Sequence, residues 1–162
     1  MAEGVVEKAK NAVVSVVQGA GDVVNATRSA VTDIVVGTLK DAGEITGAAL
    51  GVVTDTVRGA IQGTKEVGVE AEKAARAVVS GAVEAVGQVG GDVVVGAKNA
   101  VRGAIQGAAD VRGDVAAVAV GAVEGAVAAA GKIGGDVTKV ARGAAEQRWR
   151  PSVRFQRARS EQ

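Results

Sequence analysis

From Val5 to Gln147 the chain can be cut into thirteen consecutive 11-residue units with no insertion, from VVEKAKNAVVS and VVQGAGDVVNA to AVAAAGKIGGD and VTKVARGAAEQ. Down the columns, the first, fifth and eighth positions never carry a charge. The third, sixth, seventh, tenth and eleventh hold 25 of the 30 charges in the span, the exceptions being Lys8, Arg28, Asp41, Glu72 and Arg112. Eleven residues over three helical turns advance about 98° each, which gathers columns one, two, four, five, eight and nine onto one arc of about 165°. That pattern predicts an amphipathic helix. The Val-rich pieces Val13-Val14-Ser15-Val16-Val17 and Val93-Val94-Val95 favour strands by composition, but a strand alternates with period two and thirteen units hold helical phase.

A second period of 22 lies over the first. Gly37, Gly59, Gly81, Gly103 and Gly125 recur in the eleventh column, interleaved with Glu70, Asp92, Asp114 and Asp136 in the same column. Val57 to Gly63 returns as Val101 to Gly107, and Gly90-Gly91-Asp92-Val93 as Gly134 to Val137, both 44 residues later. Such recurrences are the signature of internal duplication. The Gly-Gly-Asp steps can be read in two ways, as N-capped breaks that fold helices of about 22 residues into a bundle, or as bends in one continuous helix. Because the apolar phase passes through both steps unaltered, the expectation is the continuous helix, about 215 Å long at 1.5 Å per residue.

The material of the apolar arc argues against a self-sufficient core. The chain has one Trp, one Phe, no Tyr and one Met against 24 glycines. Each glycine costs a helix about 1 kcal/mol relative to alanine, on the order of 20 kcal/mol over the repeat. The fold class expected is therefore all-α, a long 11-mer-repeat helix, bent or folded at the Gly-Gly-Asp steps, that is disordered in water until a partner surface orders it.

The charged stripe has two edges. Column six carries only bases (Lys10, Lys65, Arg76, Lys98, Arg142), while columns seven and eleven carry acids with Lys132 as the one exception. Parallel neighbours would set base against acid and antiparallel ones like against like, so the partners expected are a lipid surface and further copies packed laterally. Gly59/Gly63 and Gly103/Gly107 lie beside the acidic edge, where they permit close approach.

Phrases such as Ala2-Glu3-Gly4-Val5-Val6-Glu7-Lys8-Ala9-Lys10 and Gly63-Thr64-Lys65-Glu66-Val67-Gly68-Val69, set in uninterrupted 11-residue units, resemble the synucleins and the 11-mer region of perilipins. The resemblance implies an unfolded chain that becomes helical on membranes or lipid droplets. Lysines do not line both edges of the apolar face, which points to neutral lipid or packing defects in place of anionic membranes. More weakly, the repeat resembles late-embryogenesis-abundant proteins, which implies protection during desiccation or freezing.

The domain plan is a lead at residues 1–4, the repeat at 5–147 and a basic tail at 148–162. The tail holds both aromatics, the only proline and five of the arginines. Arg148, Trp149, Arg150, Arg154, Phe155, Arg157 and Arg159 are its candidate anchoring residues, for a protein partner or headgroups. Nucleic acid is disfavoured because residues 1–147 are slightly acidic.

Without Cys or His the chain lacks thiol catalysis, the commonest general base and the usual zinc ligands. No catalytic, metal or cofactor residue is expected, and the chain reads as a non-enzyme. With no signal-like segment or strongly apolar span of about 20 residues, the expected location is cytoplasmic, peripheral to a membrane or droplet. The function expected first is coating of a lipid surface, with a self-associating helical scaffold or stalk and a stress protectant as alternatives.

Overall fold

The computed structural model describes residues 2–18 and 21–147, and every regular element among them is a helix. In order these are α1 (Ala2–Gln18), α2 (Val23–Ala42), α3 (Gly51–Glu66), α4 (Ala71–Gln88), α5 (Val93–Asp110) and α6 (Val115–Lys132), followed by α7, helical at 137–147. The single long helix is thus replaced by a compact stack, and the chain reverses at the glycine-acid steps. Two successive 11-residue units make one repeat: an 18-residue helix and a four-residue turn.

The turns after α4, α5 and α6 are built the same way. After α4, Gly91 N–H donates to the Val86 carbonyl at 2.9 Å and Gly90 N–H to the Gly87 carbonyl at 3.2 Å, the paired bonds that close a helix when the residue after it turns left-handed. Gly90 and Gly134 sit at φ 76°, where a side chain would be strained. Arg112 takes the equivalent place after α5 at φ 53°. The acid that follows caps the next helix. The Asp92 carboxylate accepts from Val94 and Val95 N–H, Asp114 from Ala117 and Asp136 from Lys139, at 3.0–3.2 Å.

Helices two apart pack side by side. Alternate helices form two layers, α1, α3, α5 and α7 in one and α2, α4 and α6 in the other, with the core between them. Within a layer the helices run parallel, because residues ascend together along each contact. An alanine Cβ at Gly59 would strike the Val6 carbonyl and at Gly63 the Lys10 carbonyl; at Gly103 it would strike that of Thr54, at Gly107 that of Arg58, at Gly121 that of Glu72 and at Gly125 that of Arg76. Hydrogen bonds support the same seams, Thr32 Oγ1 donating to the Gly81 carbonyl at 2.9 Å and Asn99 Nδ2 to the Leu50 carbonyl at 3.1 Å.

These contacts explain how a chain of Ala, Val and Gly fills a core. Dispersion depends on atoms touching, and where side chains are small the backbones themselves must approach. Val78, Val79, Val83 and Val86 of the central α4 are wholly buried. The expectation of a chain disordered until an outside surface orders it is corrected accordingly: the surface that orders each helix belongs to the chain's own neighbouring helices.

The register does contain an irregularity. The α2–α3 connection, residues 43–50, has twice the length of the other turns, and glycine contacts that span it (Gly59 to Val6, Gly81 to Arg28) reach back 53 residues against 49 elsewhere. Four residues at about 98° overshoot one full turn by only about 33°, so the insertion leaves the columns nearly in phase.

Candidate interaction surface

Along each layer the earlier helix supplies a base and the later one an acid. Lys10 faces Glu66 at 3.6 Å, Arg58 faces Asp110 at 2.5 Å, Lys98 faces Glu146 at 3.8 Å and Arg28 faces Glu84 at 3.3 Å, while Arg76 pairs with Glu124. Lys132 reaches back to Glu84 at 3.2 Å, the one reversal. Of these pairs only Lys10–Glu66 joins a column-six base to a column-seven acid as the sequence pattern sets them; Arg76 and Lys98 of column six meet Glu124 and Glu146 of column ten, and all of them lie within one chain. Such partly exposed pairs contribute about 0–1 kcal/mol each, so the ladder selects direction and register more than it supplies stability.

Three carboxyl groups are perturbed. A hydrogen bond from Arg58, with a second from Gln62, holds Asp110 below its ordinary 3.8 against partial burial. Burial raises Asp55 above 3.8 despite the nearby Arg58. Glu72 is raised above 4.5 by hydrogen bonding with the Glu124 carboxyl and by that group's charge. The signs oppose. Raised groups bind protons more tightly in the folded chain, so stability increases as pH falls through the folded pKa values of Glu72 and Asp55. The Asp110 contribution is complete above 3.8 and is lost as pH falls through its lower folded value. Thermal melts between pH 7 and pH 2 are expected to peak at mildly acid pH, and Glu72→Gln is expected to reduce the gain on the neutral side of that peak. A melting temperature that falls steadily from pH 7 would contradict the assignment.

The two ends of the stack differ in character. At the N-terminal end, the α1 and α2 positions corresponding to the contact glycines are Asn11, Ser15, Ser29 and Asp33, all exposed. A polar outer face of this kind closes a helical stack. At the other end, α6 has Ala116 and Val120 where α4 has Glu72 and Arg76. Val120 is 38% exposed and Val115 39%, and Ala116 and Ala128 are also open. Val79 and Val83 of α4, which has a neighbour on each side, are fully buried, whereas their α6 counterparts Val123 and Val127 are only half-buried. Among the described residues the edge of α6 is therefore an apolar strip with no helix packed on it. By length and composition α6 alone among the described helices could cross a membrane, with a mean hydropathy of 1.5, and 44% of it is buried in the stack.

No family model matches the chain, and no curated protein does. Among solved structures, a de novo designed helical repeat protein is similar at a TM-score of 0.43 and 21% identity, over 93% of this chain and 94% of that one.

The candidate anchoring residues Arg148, Trp149, Arg150, Arg154, Phe155, Arg157 and Arg159 lie outside the described residues. Among the described residues no group of three or more acidic side chains is arranged to hold a metal ion. A small apolar cleft of about 100 Å³ opens where the α3–α4 and α5–α6 turns meet, lined by Ile61, Val69, Ala74, Ala108, Val111 and Val118 with Lys65 and Asp114 at its rim. The sequence shows Val115 to Gly131 as its least charged stretch, with Glu124 alone carrying charge, but the 11-residue columns do not set the α6 edge apart. It becomes visible only when α6 is aligned with α4 at the 44-residue repeat, which shows Arg76 replaced by Val120.

Proposed function

We propose that this protein is a non-enzymatic structural scaffold, a rigid helical-repeat body that holds or spaces other components of an assembly. The observation that carries this reading is where the apolar arc goes. Its fourth, fifth and eighth columns are spent between the two layers, with Val53, Val78, Ala97, Ala100, Val118 and Ala122 all buried, so the folded chain has little left with which to coat a surface. Parallel helices locked by glycine-to-carbonyl contacts make a stiff body, and repetition sets its length.

Circular dichroism and sedimentation in lipid-free buffer test the proposal. The expected outcome is a strongly helical, compact particle whose helix content does not change when liposomes or an oil emulsion are added. A coil in buffer that gains helix on lipid would overturn it in favour of surface coating.

That second reading has one observation in its support. Because an 18-residue helix and a four-residue turn together preserve the 11-residue phase, a chain opened at its turns would still present one continuous apolar arc, with Val67, Val89, Val111 and Ile133 on it. Lipid would then have to outcompete the internal packing.

A further inference from the structure

We propose that the cleft between the α3–α4 and α5–α6 turns binds a short-chain aliphatic monocarboxylate, its hydrocarbon chain inside the cleft and its carboxylate at Lys65 and Arg112. The inference needs the folded stack but not the scaffold role.

The cleft suits hydrocarbon in size and lining. Its volume is about 100 Å³, and an engineered apolar cavity of about 150 Å³ takes up benzene. Four helices contribute to the wall, through Ile61 of α3, Ala74 of α4, Ala108 of α5 and Val118 of α6. Two polar side chains in the lining are already engaged. Thr64 Oγ1 donates to the Ile61 carbonyl at 2.9 Å, and the Asp114 carboxylate accepts from Ala117 N–H at 3.0 Å. A buried water needs about two to four polar partners, so the apolar wall fits a hydrocarbon chain better than water.

The charge at the mouth comes from two departures from the repeat. At 22-residue spacing Lys65 corresponds to Gly87, Ala109 and Gly131, and Arg112 to Gly68, Gly90 and Gly134. Each base stands where the corresponding helices have a small residue, and both stand at this one cleft. Lys65 belongs to its lining, and Arg112 lies between the lining residues Val111 and Gly113. Arg112 holds φ 53°, a conformation that glycine adopts freely and an L side chain only at a cost, so the turn itself gives no reason for the arginine.

Nearby acids are committed elsewhere, Glu66 facing Lys10 at 3.6 Å and Glu70 facing Lys73 at 3.8 Å. Among the described residues neither Lys65 nor Arg112 forms an ion pair. Two such bases beside an apolar cleft complement a carboxylate carried on a short hydrocarbon chain.

Titration of the full-length protein with hexanoate, followed through amide NMR shifts, tests the site. Hexanoate is expected to bind saturably with a Kd of the order of 0.1–1 mM and to shift amides within residues 61–74 and 108–118. Hexan-1-ol, which fills the cleft without the charge, is expected to bind about five- to ten-fold more weakly. Lys65→Gln and Arg112→Gly are each expected to weaken hexanoate about five-fold and to leave hexan-1-ol unchanged. Arg112→Gly also relieves the turn and is expected to raise the melting temperature, a split that separates a ligand contact from a structural role. Ala74→Leu, filling the cleft from a buried site, is expected to abolish binding of both compounds. Lys40→Gln, at an exposed base at the other end of the stack, is expected to change neither. Three results would overturn the proposal: no saturable shift or shifts centred elsewhere, equal affinity for hexanoate and hexan-1-ol, or hexanoate affinity unchanged in both base variants.

Discussion

Replacing Gly103 and Gly107 together by alanine is expected to destabilise the protein by about 2–4 kcal/mol, even though alanine is the better helix former by about 1 kcal/mol at each site. Both glycines are buried in α5. A Cβ at Gly107 would lie 2.7 Å from the Arg58 carbonyl oxygen, and one at Gly103 would overlap the Thr54 carbonyl. The obstacle is backbone in each case, so relief requires α3 and α5 to separate, and with them the Arg58–Asp110 pair and the Asn99–Leu50 hydrogen bond. For a chain of this size that loss corresponds to a melting temperature lower by roughly 5–15 °C. Gly37→Ala is the matched control. Gly37 lies inside α2 with nothing within 4 Å of an added Cβ, so the same change there is expected to stabilise by about 1 kcal/mol. Opposite signs for one substitution separate the packed stack from the single long helix, in which alanine would raise stability at every site. A rise in melting temperature for the Gly103/Gly107 double variant would remove the basis for parallel helix contact.

The 11-residue columns made the helical class and most of the buried face legible. They also exposed the basic edge, whose Lys10, Arg76 and Lys98 do meet acids on parallel neighbours, but only Glu66 of those acids lies on the predicted acidic edge; Glu124 and Glu146 belong to column ten. What the columns concealed was the reversal of the chain, because a repeat of 22 residues returns to the same phase whether its last four residues are helix or turn. The eleventh column held the missing information. Its alternation of glycine with Asp or Glu marks two different jobs, helix-to-helix contact at Gly59, Gly81, Gly103 and Gly125 and turn or helix start at Glu70, Asp92, Asp114 and Asp136. Counting glycines as a uniform penalty missed this. A glycine lowers intrinsic helix preference, yet where it lets two backbones touch it also permits packing that a larger residue would prevent. The α6 edge was hidden for a related reason: its Ala and Val fit the apolar pattern, and they are exposed because, among the described residues, no helix packs on α6 from the side away from α4.

Leu39→Ala is expected to cost about 2–5 kcal/mol and to act first on the N-terminal helices. Leu39 and Leu50 are the only leucines in the chain, and both are fully buried at the two ends of the long α2–α3 connection. Elsewhere valine and alanine fill the space between close-set helices. At this joint the four additional residues rotate the register of α1 and α2 by about 33° relative to the rest, and the two buried leucines flank it. No glycine of residues 43–51 has an atom within 4 Å of an added Cβ, so backbone contact cannot compensate for a lost leucine. Removing the Leu39 side chain therefore leaves a cavity where collapse is least available. Hydrogen exchange is expected to show α1 and α2 losing protection before α4, α5 and α6, whereas Val120→Ala, at an exposed site, should remain within about 0.5 kcal/mol of the parent. Uniform loss of protection across all helices would mean that the joint is not a separate weak point and that the stack unfolds as one cooperative unit.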